Sequence, residues 1–439
     1  MAPKDTRCLR TFCVPLLPSL VMSIILAGWA AYPGATEWLP PPLPEDRPSS
    51  APTPEPVVQL EGRYELISGV EYVWQRPARS EPVGILLLCH GCNHGAGDFF
   101  PRTEHCPTCL GLPVETGIAS AGLARGWVVL AVSSRDRKRR CWNEARDLKG
   151  LAQAIAIVRR VCGLGEDSAL AAIGASSGGR IVSLLDEAKI KGPLVGIVAQ
   201  VSASAKEGWR HDAMTGRWDP STHLPVRFLV MERDGLRFRA VTEQVSVLRK
   251  LGVDAGMLKV PSRAIVPDLF SEPRGLGGGG VPAVRSAGSA RALVTALLAA
   301  NLLDPATMKL RADPRRSSWR DAVRSALNGP HKRENAASLE PASPEQASRR
   351  GEESEEGSAS GGSSRTKAYK NESETYERPD DKLVVDASPI SEVLNEAWAY
   401  HEFTDAHLGV ILDWLDARLQ ALDRSAAVAA YAEALIGVR

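Results

Sequence analysis

Six short, almost wholly apolar segments recur through the middle of the chain, and most of them are separated by amphipathic segments. The apolar segments are 84–89, 127–133, 170–175, 196–202, 227–231 and 256–260. Strands without a polar face are typical of a parallel sheet that helices cover on both sides. Helices fit between them at 113–125, 143–162, 177–189 and 236–251. The alternation predicts an α/β fold with a doubly wound, mostly parallel sheet.

The N-terminal part of the chain lacks this pattern and predicts a membrane segment. An uncharged run over 11–31 follows basic residues within 1–10 and is just long enough to span a bilayer. It is typical of an uncleaved anchor with 1–10 in the cytoplasm, or of a cleaved signal peptide. A proline-rich linker is predicted over 32–58. The body of the protein is therefore expected to be lumenal or extracellular, either membrane-anchored or secreted.

The core of the fold is expected over 59–270, and the rest of the 439-residue chain divides further. A helical insertion is predicted at 271–330. Residues 331–382 are polar, serine-rich and of mixed charge, which predicts disorder. The segment 383–439 completes the core with helical patterns, and Thr404 is a plausible N-cap of the last helix. The formal net charge of +1 gives no indication of a nucleic-acid partner.

The stretch GASSG at 174–178 places Ser176 between a predicted strand and a predicted helix. Glycines on either side permit a tight turn, and the N-terminus of the following helix favours developing negative charge. In this context the stretch predicts a nucleophilic serine on a strand–turn–helix elbow rather than a turn without chemistry.

A nucleophilic serine needs amide donors for the oxyanion that forms during acyl transfer. The N–H of Ser177, directly after the nucleophile, is the first expected donor. The stretch LLLCHGCNHG follows an earlier strand, and the N–H of Cys92 is the expected second donor, with Asn93 nearby. His90 is then structural, and His94 is an accessory residue at most.

The acid that orients the base should follow a later strand. Asp234 lies just beyond 227–231 and before a predicted helix, and it is the candidate. Glu232 is a close rival and Glu207 is a distant one.

The base should lie beyond the acid, where the chain has His331, His401 and His407. His331 opens the stretch expected to be disordered, and His407 should lie one turn into the last helix. His401 lies just before that helix and is the candidate. Roughly 140 residues separate it from the last strand, which is tolerable because loop-closure entropy grows only logarithmically with length.

Two CxxC pairs, CHGC and CPTC, suggest either a zinc site or disulfide bonds. Cys89 ends an apolar strand and should point into the sheet, so four ligands cannot easily converge. Disulfides among Cys92, Cys106, Cys109 and Cys141 are therefore favoured in an oxidising compartment, with their connectivity open. No metal and no cofactor is expected.

Six stretches of the sequence are idiosyncratic enough to carry a family resemblance. They are HGCNHGAGDFF, CPTCLGLPVE, AVSSRDRKRRCW, GASSGGRIVSLL, MERDGLRFRAV and AYHEFTDAHLGVILDWL. In them the chain resembles the α/β-hydrolase superfamily and, more closely, a little-characterised group of plant and algal α/β-hydrolase-fold proteins. The resemblance implies an eight-stranded sheet, supports Ser176, Asp234 and His401 as a catalytic triad, and hints at bridges among the four loop cysteines. The chain departs from the group in the insertion 331–382.

These features favour a serine hydrolase that cleaves a carboxylic ester of a small molecule, a lipid or a polymer. Ser176 would attack the acyl carbon, His401 would take its proton, and Asp234 would orient the imidazole. The alternative is a catalytically inactive, membrane-anchored binding or scaffold protein that keeps the fold.

Overall fold

Eight strands form one sheet in the computed structural model of the chain, which describes residues 58–78, 80–203, 224–327 and 388–436. All of these residues belong to one unit, Pro54–Arg439. The strands are β1 (Arg63–Ile67), β2 (Val70–Gln75), β3 (Gly84–Cys89), β4 (Trp127–Val132), β5 (Leu170–Ala175), β6 (Leu194–Gln200), β7 (Val226–Met231) and β8 (Ala255–Val260).

The strand order across the sheet is β1-β2-β4-β3-β5-β6-β7-β8. Strand β2 is antiparallel to both of its neighbours, and the pairings from β4 to β8 are all parallel. This is the eight-stranded, mostly parallel sheet of the α/β-hydrolase fold, so the predicted fold class is confirmed. Each of the six apolar segments forms a strand whose ends lie within two residues of those predicted.

Helices cover both faces of the sheet. The helices of the described residues are α1 (Pro113–Ala124), α2 (Glu144–Val161), α3 (Ser177–Val182), α4 (Gly235–Lys250), α5 (Asp268–Ser271), α6 (Ala287–Ala299), α7 (Trp319–Leu327), α8 (Pro389–Trp398) and α9 (Leu408–Ile436). Along β3, Leu86 and Leu88 pack on the side of α1 and α9, whereas Ile85 and Leu87 pack on the side of α2 and α4. This alternation follows from the two-residue period of a strand.

A third apolar cluster lies outside the two faces of the sheet. It joins α6, α7 and α8, and Phe270, Trp319 and Val393 are fully buried in it. The apolar side of α8 therefore packs with the inserted helices that precede it in the chain. Helix α8 leads directly into the loop 399–407, which carries His401.

Two helix boundaries differ from those predicted. The helix expected at 177–189 ends early, at the end of α3, where the Ser183 hydroxyl donates to the Gly179 carbonyl oxygen and competes with the helical bonds. Thr404 is not an N-cap, because α9 begins four residues later. The Thr404 hydroxyl instead donates to Glu396 Oε1 (2.6 Å).

The predicted membrane-anchored or exported localisation is corrected. In the part of the chain that the structure describes, no helix is both long enough and apolar enough to cross a bilayer. The run 11–31, on which that prediction depended, lies outside the described residues. So do the linker up to residue 57, the insertion 331–382, Glu207 and His331.

Candidate active site

Ser176 occupies a sharp turn between β5 and α3. Its backbone has φ 53° and ψ −114°, a conformation that non-glycine residues rarely adopt. Such a conformation costs about 1–3 kcal/mol and persists only where surrounding contacts hold it. The Ser176 N–H donates to the Gln200 carbonyl oxygen at the end of β6 (2.9 Å). Ser176 therefore lies on the kind of elbow that the sequence predicted.

The glycines around Ser176 allow α3 to approach the strands closely. A Cβ atom at Gly178 would lie 2.2 Å from the Cys89 carbonyl oxygen, and one at Gly174 would lie 2.3 Å from the Gly178 carbonyl oxygen. Neither position has room for any side chain. The start of α3 can therefore pack directly on the ends of β3 and β5, which fixes the direction of the Ser176 side chain.

Three side chains that are far apart in the sequence meet at this edge of the sheet. Ser176 Oγ lies 3.0 Å from His401 Nε2, and His401 Nδ1 lies 2.8 Å from Asp234 Oδ2. Asp234 ends the turn after β7, and His401 lies in the loop between α8 and α9. The structure thus brings the predicted nucleophile, base and acid into one hydrogen-bonded line.

The electrostatics of this line favour an ionised carboxylate at Asp234. Burial alone would raise the pKa of Asp234, but hydrogen bonds from His401 and from the Arg237 N–H outweigh it, so this pKa is lowered. An ionised carboxylate only accepts hydrogen bonds, so His401 Nδ1 carries the proton of this bond and Nε2 is the ring nitrogen that faces the Ser176 hydroxyl. An imidazole with a lone pair on Nε2 can take the hydroxyl proton.

The two residues whose amides were predicted to bind an oxyanion are Ser177, which directly follows Ser176, and Cys92 in the loop after β3. Ser177 is the first residue of α3, and the first N–H groups of a helix have no partner within the helix. Among the described residues, the Cys92 N–H donates to no acceptor. The two residues are neighbours, since Cys92 Sγ lies 3.4 Å from Ser177 Oγ. Their role as oxyanion donors stays a prediction.

Buried polar contacts fix the loop that precedes Cys92. The His90 side chain is fully buried; its Nε2 accepts from the Ser134 N–H (3.0 Å), so its Nδ1 donates to the Gly91 carbonyl oxygen (2.6 Å). Burial is the main cause that lowers the pKa of His90 to about 4. The Trp142 indole N–H donates to the His90 carbonyl oxygen (2.8 Å). His90 is thus a neutral residue that holds the loop.

Two disulfides link the loop cysteines. Cys92 is bonded to Cys141, and Cys106 is bonded to Cys109. Cys89 remains a free thiol that is fully buried in the sheet, as its position in the strand predicted. The cysteines of the two CxxC pairs therefore do not converge, and no group of three or more metal-ligand side chains occurs among the described residues.

The rival acid and base residues have other partners. The Glu232 carboxylate accepts from both the backbone N–H (2.8 Å) and the hydroxyl (3.1 Å) of Ser262. His407 lies just before α9 rather than within it, and its Nε2 contacts the Lys259 carbonyl oxygen (3.0 Å). Neither residue contacts the Ser176–His401 pair.

A buried charged layer joins the Cys92 loop to α1 and α8. His94 Nδ1 lies 3.0 Å from Asp98 Oδ2 and 3.8 Å from Glu115 Oε1. Burial alone would lower the pKa of His94, but the Asp98 hydrogen bond and nearby carboxylates outweigh it and raise the pKa to about 9. Burial raises the pKa of Glu115, and raises that of Glu392 on α8 to about 7. His94 is therefore a cation held among acids.

Gln200 is a site residue that the sequence analysis missed. Its side chain donates to the Thr404 carbonyl oxygen (2.9 Å) and accepts from the Thr404 N–H (3.0 Å). Because its own carbonyl accepts from the Ser176 N–H, Gln200 ties the elbow to the loop of His401. No motif signals this role, since a glutamine at the end of an apolar strand carries no pattern.

Comparison with known proteins adds likenesses to solved hydrolase structures. No family model and no curated protein matches the sequence. A hyperthermophilic esterase from the archaeon Pyrobaculum calidifontis is 17% identical over 47% of this chain and 75% of that chain, with a TM-score of 0.31. A fungal esterase from Rhizomucor miehei is 14% identical over 47% and 75%, with a TM-score of 0.33. MGS-M1, an α/β hydrolase from a Medee basin deep-sea metagenome library, is 16% identical over 49% and 86%, with a TM-score of 0.33. At these identities and TM-scores the likenesses carry no conclusion about activity.

Proposed function

We propose that this chain is a serine hydrolase that cleaves carboxylic esters, with Ser176 as nucleophile, His401 as general base and Asp234 as the orienting acid. The observation that carries the proposal is the unbroken line from the Ser176 hydroxyl, through both ring nitrogens of His401, to the buried Asp234 carboxylate. A structural cluster has no need of a serine in a strained backbone conformation with its hydroxyl aimed at a ring nitrogen of a histidine. The resemblance to the plant and algal group belongs to the same proposal.

The chemistry follows from the roles of these groups. Ser176 Oγ attacks the acyl carbon while His401 Nε2 takes its proton, and the carbonyl oxygen becomes an oxyanion that the Cys92 and Ser177 amides stabilise. His401 then gives the proton to the leaving alcohol, and an acyl ester remains on Ser176. A water molecule attacks this ester, with His401 again as the base, and releases the acid.

Asp234 contributes by holding the imidazole in the productive tautomer. Its carboxylate accepts from His401 Nδ1, so the lone pair of the ring must face Ser176. It also stabilises the imidazolium that forms in the transition state. Because the carboxyl is held in its ionised form, this support is present throughout the neutral pH range.

Labelling with a fluorophosphonate probe tests the proposal. The wild type should become labelled on the peptide that contains Ser176, and Ser176→Ala should not be labelled. Ser168→Ala is the matched control, because Ser168 lies before β5 and its hydroxyl only donates to the Gly165 carbonyl oxygen; it should be labelled at the wild-type rate. A panel of p-nitrophenyl esters of increasing acyl length then measures ester hydrolysis. A folded wild type that resists the probe would refute the proposal and favour a binding role.

A further inference from the structure

Arg315 contacts the loop that carries His401, although it belongs to the inserted segment. It lies in a short turn between α6 and α7, and its Nη2 donates to the His401 carbonyl oxygen (3.1 Å) and to Glu402 Oε2 (3.0 Å). The guanidinium carbon lies 5.9 Å from the ring centroid of Tyr400. One side chain therefore contacts three consecutive residues of the loop.

The loop needs external support because its backbone is unfavourable without it. Ala399 has φ 58° and His401 has φ 47°, both in the left-handed region that is costly for residues with a Cβ atom. Each of these residues is held through its carbonyl oxygen. Ala399 accepts from the Arg233 N–H (3.0 Å), and His401 accepts from Arg315. Arg315 thus holds the backbone carbonyl of the residue that carries the imidazole.

Arg315 is itself fixed in position. The Asp313 side chain accepts from the Arg315 N–H (3.0 Å), and Pro314 is buried. The turn leads into Trp319, which is fully buried in the third apolar cluster. Because α8 packs in the same cluster, the arginine and the segment that leads to His401 are held by one packed body.

We infer that Arg315 is a positioning residue for the proposed reaction: it holds the loop so that His401 Nε2 faces Ser176 Oγ and Nδ1 faces Asp234. The inference rests on the proposed function. A guanidinium suits this task because its rigid fork of donors can hold a carbonyl and a carboxylate together. A displacement of the imidazole by about 1 Å can slow a reaction by about a hundredfold.

The inserted helices also have a role in this arrangement. They supply the arginine through the turn at 314–316 and supply α8 with its packing partners. Inserted helices that packed only on the outside of the fold would not contact the backbone of the candidate base. On this view the sheet provides Ser176 and Asp234. The inserted body, which consists of α6, α7, the turn between them and the helix α8 that packs with them, supports His401.

The test compares Arg315→Gln and Arg315→Lys with Arg316→Gln as the matched control, since Arg316 is the next residue and is exposed. The readouts are the second-order rate of fluorophosphonate labelling, and kcat and KM with p-nitrophenyl acetate. For Arg315→Gln we expect labelling and kcat to fall by about ten- to hundredfold, because a hydrogen bond from a charged group is lost. KM should change little, because Arg315 is not expected to touch the substrate. Arg315→Lys should keep part of the activity, and Arg316→Gln should behave as the wild type.

Chemical rescue separates positioning from a loss of folding. Guanidinium chloride, at concentrations that do not unfold the wild type, should restore labelling of Arg315→Ala and leave Arg316→Ala unchanged. The inference is overturned if the labelled wild type and Arg315→Gln react equally fast, if only KM changes, or if guanidinium restores nothing. An unlabelled wild type would instead overturn the proposed function, and the inference would fall with it.

Discussion

Replacing Cys92 and Cys141 together by serine removes a covalent bond between the loop after β3 and the loop before α2. The disulfide joins residues 49 positions apart, and the loop-closure entropy of the unfolded chain then gives about 4 kcal/mol of stabilisation at about 25 °C. The Cys106–Cys109 disulfide joins residues only 3 positions apart, which gives about 2 kcal/mol. We therefore expect the free energy of unfolding to fall about twice as far for Cys92→Ser/Cys141→Ser as for Cys106→Ser/Cys109→Ser.

The same substitution should also slow the proposed chemistry. Cys92→Ser keeps the backbone N–H, but the loop is then held by weaker contacts, such as the bond from the Asn93 N–H to the Arg139 carbonyl oxygen (3.0 Å). A less well-placed amide should lower the fluorophosphonate labelling rate by about ten- to hundredfold. The Cys106–Cys109 pair makes no contact with Ser176, so its removal should leave labelling unchanged.

Urea unfolding followed by circular dichroism gives the two stability losses, and labelling at low urea gives the two rates. Both variants must be compared with the oxidised wild type, whose free thiols are counted before the measurement. Equal stability losses for the two pairs would refute the loop-closure reasoning. A labelling rate that survives the loss of the Cys92–Cys141 bond would refute the claim that this disulfide positions the Cys92 N–H for the proposed reaction.

Three further expectations come from the site and its support. Asp234→Asn replaces an acceptor by an amide that can donate, so the wrong imidazole tautomer is favoured and kcat should fall by about 10³–10⁴-fold in ester hydrolysis. Burial raises the pKa of Glu115 well above 4.5 and that of Glu392 to about 7, so the stability that each protonated carboxyl contributes is present below about pH 4.5 and is lost as the pH rises through its folded pKa, which for Glu392 is about 7. Glu115→Gln, which stays neutral, should show a smaller fall in Tm over that range than the wild type, and an equal fall would contradict this account. Gly178→Ala places a Cβ atom 2.2 Å from a backbone oxygen and should cost about 3 kcal/mol in urea unfolding or prevent folding. Gly288→Ala in α6 meets only a hydroxyl at 3.8 Å and should instead stabilise by about 0.5–1 kcal/mol.

The sheet could be predicted from the sequence because its strands are buried on both faces. The runs 84–89 and 170–175 form β3 and β5 with the predicted bounds, since every position of a doubly covered strand must be apolar and turn residues mark both ends. The ends of the helices could be predicted less well from the sequence. The start of α9 was placed at Thr404, but Glu396 binds the hydroxyl of Thr404, and this contact depends on the tertiary fold.

The residues of the candidate site could be predicted only where a side chain of suitable chemistry also lies just after a predicted strand or just before a predicted helix. Ser176 directly follows β5 and Asp234 lies three residues beyond β7, so an edge of the sheet was predicted to bring them together, and they lie in one line with His401. Gln200 and Arg315 carry no local pattern. Each of them contacts the backbone of a residue far along the chain, 204 residues away for Gln200 and 86 residues away for Arg315. A single sequence does not show which distant residues come into contact. The disulfide connectivity was open for the same reason.

The position of His401 depends on two packed bodies rather than one. Its imidazole contacts groups at the ends of β5 and β7, whereas its backbone carbonyl is held by Arg315 from the inserted body. A residue with a Cβ atom stays in a left-handed backbone conformation only where surrounding contacts hold it. Loosening either the sheet edge or the inserted body should therefore release the imidazole before the sheet unfolds. A long insertion before the candidate base is therefore compatible with a precise site for a physical reason: the added chain brings its own apolar cluster, and that cluster takes part in holding the loop.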